Sequence, residues 1–254
     1  MLSSYLCHGE AGTRGSIAVL FYPSFPPPSR VLCQMIRSGG SGIRGYMDVE
    51  VTVTKVLIDI KGQDFRRPEH EISPLFFNRW SPRAMSGEEI GREELMRMFE
   101  AGRWAMSSMN NQPWRFLYAL RNTPHWEKFF GLLSPGNQAW CRNAAALIVV
   151  VSKKTFDHSG KPARTHSYDT GAAWYSFALQ GVMMGIVVHG MQGFDYDKTA
   201  SILGVTDEYQ VEAMAAVGRP GNKEDLTPAL QEREVPSQRK KVDEMTFEGG
   251  FKIP

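Results

Sequence analysis

Residues 169–185, DTGAAWYSFALQGVMMG, are apolar nearly all round. A helix of that composition has to be covered on every side. Its small residues Gly171, Ala172, Ala173, Ala178 and Gly181 let neighbouring backbone approach closely. Two arrangements meet the requirement: a helix at the centre of one domain, or a helix sealed at a subunit interface. A second constraint comes from residues 144–151, AAALIVVV, rich in β-branched side chains and bounded by polar groups. That is the pattern of a central strand buried on both faces.

Around these segments the periodicity alternates between helix and strand. Ile72, Leu75 and Phe76 fall at i, i+3, i+4, and the pattern breaks at Pro82. Ser86-Gly87-Glu88-Glu89 has the spacing of a capping box, and Leu95, Met98, Phe99 and Gly102 continue one apolar helical face. Residues 115–120 read as a strand, 126–133 as a short helix, and Ser134-Pro135-Gly136-Asn137 as a turn. Residues 186–189 form a strand, 196–203 a helix stopped by Gly204, and 211–217 a strand ending at Gly218-Arg219-Pro220. From Asn222 the chain is charged and irregular. This order predicts an α+β fold, with helices flanking one central mixed or antiparallel sheet.

Residues 1–46 differ in kind. They hold seven Ser and four arginines (Arg14, Arg30, Arg37, Arg44) against one acid, Glu10, so they carry +3 and leave −1 for the rest of a chain whose net charge is +2. A Ser/Arg-rich, acid-poor start has the composition of an organellar transit peptide, but no amphipathic Arg-spaced helix is evident. A disordered tail, or an initiator at Met47, fits as well. Gly40-Ser41-Gly42-Ile43-Arg44-Gly45 matches GxGxxG, yet the apolar residues beyond it (Val49, Val51, Val53, Val56, Ile58, Ile60) alternate with period two. A dinucleotide fingerprint needs a helix opening at that point, so the match is a decoy. The expected organisation is an N-terminal extension over 1–46, a further extension with a possible strand over 47–71, and one domain over 72–254.

The near-neutral charge argues against nucleic acid or an anionic membrane as partner. Cys7, Cys33 and Cys141 are odd in number and far apart, which points to a reducing, cytoplasmic setting, with an organellar address in 1–46 as the alternative. No GxSxG elbow or local cysteine-nucleophile signature is present, and Cys141 beside Trp140 reads as a packed thiol. His158 and His166, near Asp157 and Asp169, lack a known metal spacing and read as a solvated loop.

What remains is a set of cations and neutral hydrogen-bonding groups. In Arg79-Trp80-Ser81-Pro82-Arg83 an extended backbone points residues 79, 81 and 83 the same way, giving two guanidiniums and a hydroxyl for an anion. Surface arginines paired with Glu88 and Glu89 are the plainer alternative. Arg239-Lys240-Lys241 adds positive charge further on, and SSMNNQPWRF (107–116) gathers hydroxyls and carboxamides. The combination suits a ligand with a phosphate and an uncharged heteroaromatic head, such as flavin mononucleotide (FMN).

RWSPRAM followed by EELMRMFEAGRWAMSSMNNQPWRF resembles the opening of the nitroreductase family, and the similarity continues through SPGNQAWCRNAAALIVVV, YDTGAAWYSFALQGVMMGIVVHGMQGFD and AAVGRP. Met106 stands where the family usually has Pro, and Met85 where it often has Phe. The resemblance implies an obligate homodimer with FMN at the interface, and it places the 169–185 helix in the dimer core. Carried over by position, Arg79, Trp80, Ser81 and Arg83 would line the phosphate, ribityl and pyrimidine side. Arg239 would meet the phosphate, with Lys241 a weaker candidate and Ser237 where some members have Lys. Asn137 would bond the ring edge, and Met191, Gln192 and Gly193 would lie along the ring. Ser107, Ser108 and Asn110 would come from the partner subunit.

The activity implied is hydride transfer from NADH or NADPH to nitroaromatic or quinone-type acceptors by a ping-pong scheme. No protein acid or base is required, and Arg83 would stabilise the charge that develops at N1 and O2 of the ring. Reductive dehalogenation, flavin fragmentation, or flavin binding without turnover are the alternatives. The first needs a lid gripping a zwitterion, and residues 153–168 are short for that role.

Overall fold

The computed structural model describes residues 31–34, 46–49 and 62–251. The glycine-rich 40–45 motif, the alternation beyond Val49 and most of the 1–46 extension lie outside them. The chain divides into two compact units, Met1–Lys55 and Val56–Pro254. In the first, strand β1 (Val31–Gln34) pairs antiparallel with β2 (Tyr46–Val49), Val31 opposite Val49.

The second unit is built on four antiparallel strands, β3 (Trp114–Leu120), β4 (Ala146–Lys153), β5 (Val187–Met191) and β6 (Tyr209–Gly218), in the spatial order β3-β4-β6-β5. Strand β4 lies inside and is buried from Ala146 to Ser152. Its side chains divide by parity. Leu147, Val149 and Val151 join one core with Trp126, Phe129, Trp140 and Met214, whereas Ala146, Ile148 and Val150 join a second core with Leu95, Met98 and Phe177. Coverage of both faces is why the run is continuously apolar rather than alternating.

The helices, in chain order, are α1 (Gly62–Phe65), α2 (Pro74–Asn78), α3 (Arg92–Arg103), α4 (Trp126–Phe130), α5 (Pro135–Cys141), α6 (His166–Met183), α7 (Tyr196–Leu203) and α8 (Pro228–Gln231). Helix α3 starts later than the Ser86 spacing suggests. Glu94 accepts the Gly91 N–H at 2.9 Å, while the Ser86 hydroxyl takes only the N–H of Glu88. The expected turn at Ser134-Pro135-Gly136-Asn137 is instead the first turn of α5, with Pro135 at its opening position, where a missing N–H costs nothing. Helix α7 spans the expected residues and Gly204 closes it at φ 67°; Asp195, not anticipated from the sequence, caps it by accepting the Lys198 N–H.

Helix α6 packs Ala173, Phe177, Ala178 and Val182 inward, against α3 and the sheet. A Cβ on Gly181 would stand 2.8 Å from Met98 Cε and 3.1 Å from Ile186 O, so the close approach needs glycine there. The opposite flank is uncovered. Tyr168 is 81% exposed, and Tyr175 and Met183 are exposed too, as are the apolar side chains of Trp104, Met106 and Met109. Among the described residues no helix is long and apolar enough to cross a membrane.

Candidate functional site

Helix α2 ends at Asn78, and Arg79 turns into extended backbone at φ −63°, ψ 120°. The strip beyond it lines a cavity of about 260 Å³ with the expected Arg79, Trp80, Ser81, Arg83 and Arg239. Arg79 Nη1 donates to Ser81 Oγ at 3.3 Å. The arginines are not paired with Glu88 and Glu89; Glu89 instead accepts from Asn122 at 2.6 Å. Arg83 faces Glu234, whose Oε1 takes the N–H groups of Arg83 and Ala84 at 2.7 and 2.8 Å, and whose Oε2 lies 3.8 Å from the guanidinium. Burial draws Arg79 and Arg83 below the ordinary arginine range; Arg233 adds to the effect at Arg83, and Arg239 at Arg79.

Four further polar residues line it beside Val235 and have no local signature as a set: Arg66, His189, Arg233 and Ser237. Five arginines therefore line a cavity that no carboxylate lines. His189 is held neutral, its pKa depressed to about 4 by burial and then by Arg83, while its Nδ1 donates to Pro82 O at 3.1 Å. A lone histidine in an apolar strand is the available signal for it; nothing local marks Arg66 or Arg233.

His189 also begins a path away from the arginines. Its ring lies 4.7 Å from Trp140, whose Nε1 donates to Asn137 Oδ1 at 3.3 Å, and Asn137 Nδ2 donates to Gly193 O at 2.9 Å. The expected ring-edge groups Asn137 and Gly193 are thus in direct contact, just beyond the end of β5. A Cβ on Gly193 would come within 2.6 Å of Asn137 Nδ2 and 2.9 Å of Ser134 Oγ. Gln192 is exposed, whereas the Met191 side chain is core, its sulfur 3.5 Å from Cys141 Sγ. Cys141 is the packed thiol expected, and burial drives its pKa upward. Lys241 lines a neighbouring cleft of about 440 Å³ that shares Arg66 and Arg239 with the cavity.

Ser107, Ser108 and Asn110 belong to a separate, tightly turned loop. Met109, Asn110 and Gln112 all take left-handed backbone, at φ 53°, 52° and 48°. Such conformations persist where surrounding bonds over-determine them. Here buried Asp169 accepts from Ser108 N–H at 3.1 Å and Thr165 Oγ1 at 3.0 Å, and Ser107 Oγ accepts Gln112 N–H at 3.0 Å. His166 is not a solvated loop residue: it opens α6 with Nδ1 2.7 Å from Ser152 Oγ. Residues 153–162 close on themselves through the Lys153–Asp157 ion pair and the Thr155–Pro162 bridge. No cluster of three or more His, Cys, Asp or Glu suited to a metal occurs among the described residues.

An antiparallel sheet flanked by helices, with an arginine-lined cavity between the α2 exit and β5, defines an α+β protein. The chain belongs to the nitroreductase family, whose sequence pattern matches residues 77–129 and 123–219. It is 43% identical to a structurally characterised oxidoreductase containing FMN, over 74% of this chain and 96% of that one, with a TM-score of 0.71. A protein from Desulfovibrio desulfuricans solved in complex with FMN shares the fold at 21% identity, over 72% of this chain and 100% of that one (TM-score 0.56). An uncharacterised 15.4 kDa protein of Mycolicibacterium smegmatis is 32% identical over 125 residues, 49% of this chain and 82% of its own length.

Proposed function

We propose that the chain is an FMN-dependent oxidoreductase that passes hydride from NADH or NADPH to nitroaromatic or quinone-type acceptors, the two half-reactions alternating at one site. The observation that carries the reading is the five-arginine cavity at the α2 exit, in a chain 43% identical to an FMN-containing oxidoreductase. The donor set fits the cofactor: guanidiniums and hydroxyls for a phosphate and ribityl chain at one end, Asn137 and the 191–193 backbone for a ring edge at the other. Arg79, Ser81 and Arg239 hold the phosphate end, and Trp80 walls it. Arg83, fixed through Glu234, would supply positive charge to the N1–O2 edge of the ring. Bound FMN supplies a two-electron carrier that accepts and returns hydride.

The exposed apolar side chains of Trp104, Met106, Met109, Tyr168, Tyr175 and Met183 support a homodimer. In that assembly the strained 107–112 loop meets the partner's site, Ser107, Ser108 and Asn110 supplying polar contacts. The direct test is anaerobic mixing of the purified protein with NADH or NADPH, followed by a quinone. Oxidation of the nicotinamide that depends on the quinone supports the reading; a flavin-loaded protein inert to both nicotinamides refutes it.

A further inference from the structure

Helix α1 lies upstream of residue 77, where the family pattern begins to match, yet the segment that follows it lines the arginine cavity. A Cβ on Gly62 would fall 2.5 Å from Phe77 O, 2.6 Å from Asn78 O and 2.8 Å from Asn78 Cα, so α1 sits directly on the end of α2. Asn78, 1% exposed, accepts Gln63 N–H at 2.8 Å and donates to Gln63 Oε1 at 3.3 Å. This docking delivers Arg66, 7% exposed, to the back of the arginine cavity.

The Arg66 guanidinium binds three carbonyls from two distant stretches of chain. Nε donates to Ser237 O at 2.8 Å, and Nη1 to Phe77 O at 3.1 Å and Arg79 O at 2.7 Å. One carbonyl belongs to Arg79 itself. Another, Ser237 O, is also taken by Arg239 Nη1 at 3.3 Å. A single planar fork therefore spans both cationic segments of the cavity and sets their separation. Among the described residues Nη2 has no protein partner, and no carboxylate pairs with Arg66. Burial, then Arg239 and Arg79, weaken its hold on the proton. A buried like-charged group of this kind is costly until an anion joins it.

We propose that Arg66 is a positioning residue of the cavity's phosphate end, holding Arg79 and the 237–239 segment at the spacing a phosphomonoester dianion bridges, so that the site selects a phosphorylated flavin over the bare flavin. This rests on the flavin reading above.

The test is equilibrium binding of FMN and of riboflavin, which lacks the phosphate, to the full chain and its variants. Arg66→Met is expected to weaken FMN about tenfold or more while changing riboflavin less than about twofold, as loss of charge-assisted contacts to one group requires. Arg66→Lys, which keeps the charge but loses the fork, falls between, and it carries the test if Arg66→Met does not fold. Gly62→Ala, which removes no charge and only lifts α1, is expected to show the same phosphate-selective loss. Equal weakening of both ligands, or unchanged FMN binding in a folded Arg66 variant, overturns the inference and leaves the flavin reading standing. A wild-type chain that binds neither flavin overturns both.

Discussion

Glu234 holds Arg83 from across the chain: one carboxylate oxygen takes the Arg83 N–H at 2.7 Å, and the other stands 3.8 Å from its guanidinium with no hydrogen-bond partner. The tail thereby fixes the direction of the strip at the α2 exit. Glu234→Ala leaves two N–H groups and a partly buried guanidinium without this acceptor. A loss of about 2–4 kcal/mol is expected in denaturant unfolding. Glu234→Gln keeps a carbonyl acceptor for the N–H groups and is expected to lose clearly less. Equal losses in the two variants would mean that the backbone bonds are not what Glu234 provides.

His189 makes stability pH-dependent. Its pKa is about 4 in the folded chain against 6.5 for an ordinary histidine. Above pH 6.5 both states are neutral there, so it contributes no slope. Between 6.5 and 4 the unfolded chain binds the extra proton, and stability falls as pH falls, by about 3 kcal/mol at most. Unfolding midpoints of the wild type and His189→Gln, measured from about pH 7.5 to about pH 4.5, should converge toward acid. Parallel curves would show that His189 is not the group responsible.

Asp169 anchors the loop that carries Ser107, Ser108 and Asn110. Asp169→Ala removes acceptors from the Ser108 N–H and the Thr165 hydroxyl, with an expected cost of about 2 kcal/mol. Hydrogen exchange at residues 107–112 should accelerate more than in the β4 core. Unchanged protection of the loop would assign its left-handed backbone to other contacts.

Gly193→Ala tests the contact between Asn137 and Gly193. The added methyl meets the Asn137 carboxamide and the Ser134 hydroxyl at 2.6 and 2.9 Å, forcing the Asn137–Gly193 bond open. A cost of about 1–2 kcal/mol is expected by thermal unfolding. Additivity of this change with Asn137→Ala would contradict the contact, because residues sharing one bond couple.

Much of the fold is legible in the sequence because its signals are local. The β4 run, the Gly204 stop of α7 and the nearly all-apolar stretch of α6 each announce themselves within a few residues. The turn expected at 134–137 is a helix start because Pro135 and Gly136 read as punctuation, although proline opens a helix without penalty. At the site, Arg79, Ser81 and Arg83 are legible from extended-chain parity, and Arg239 from the family resemblance. Arg66, Arg233 and Glu234 are not: their partners are carbonyls, N–H groups and charges up to 171 positions away, and no periodicity encodes such closure. Nor does β-strand character announce that His189 is desolvated beside Arg83.

Retention of FMN by the arginine cavity is read from the visible absorbance of the purified wild type beside that of Arg79→Ala. The wild type is expected to be yellow, with about one FMN per chain, and to bleach on anaerobic addition of NADH or NADPH, and Arg79→Ala is expected to bind FMN more weakly by about 2 kcal/mol. A colourless wild type that cannot be loaded with FMN, or an Arg79→Ala variant that holds it as tightly, would contradict it.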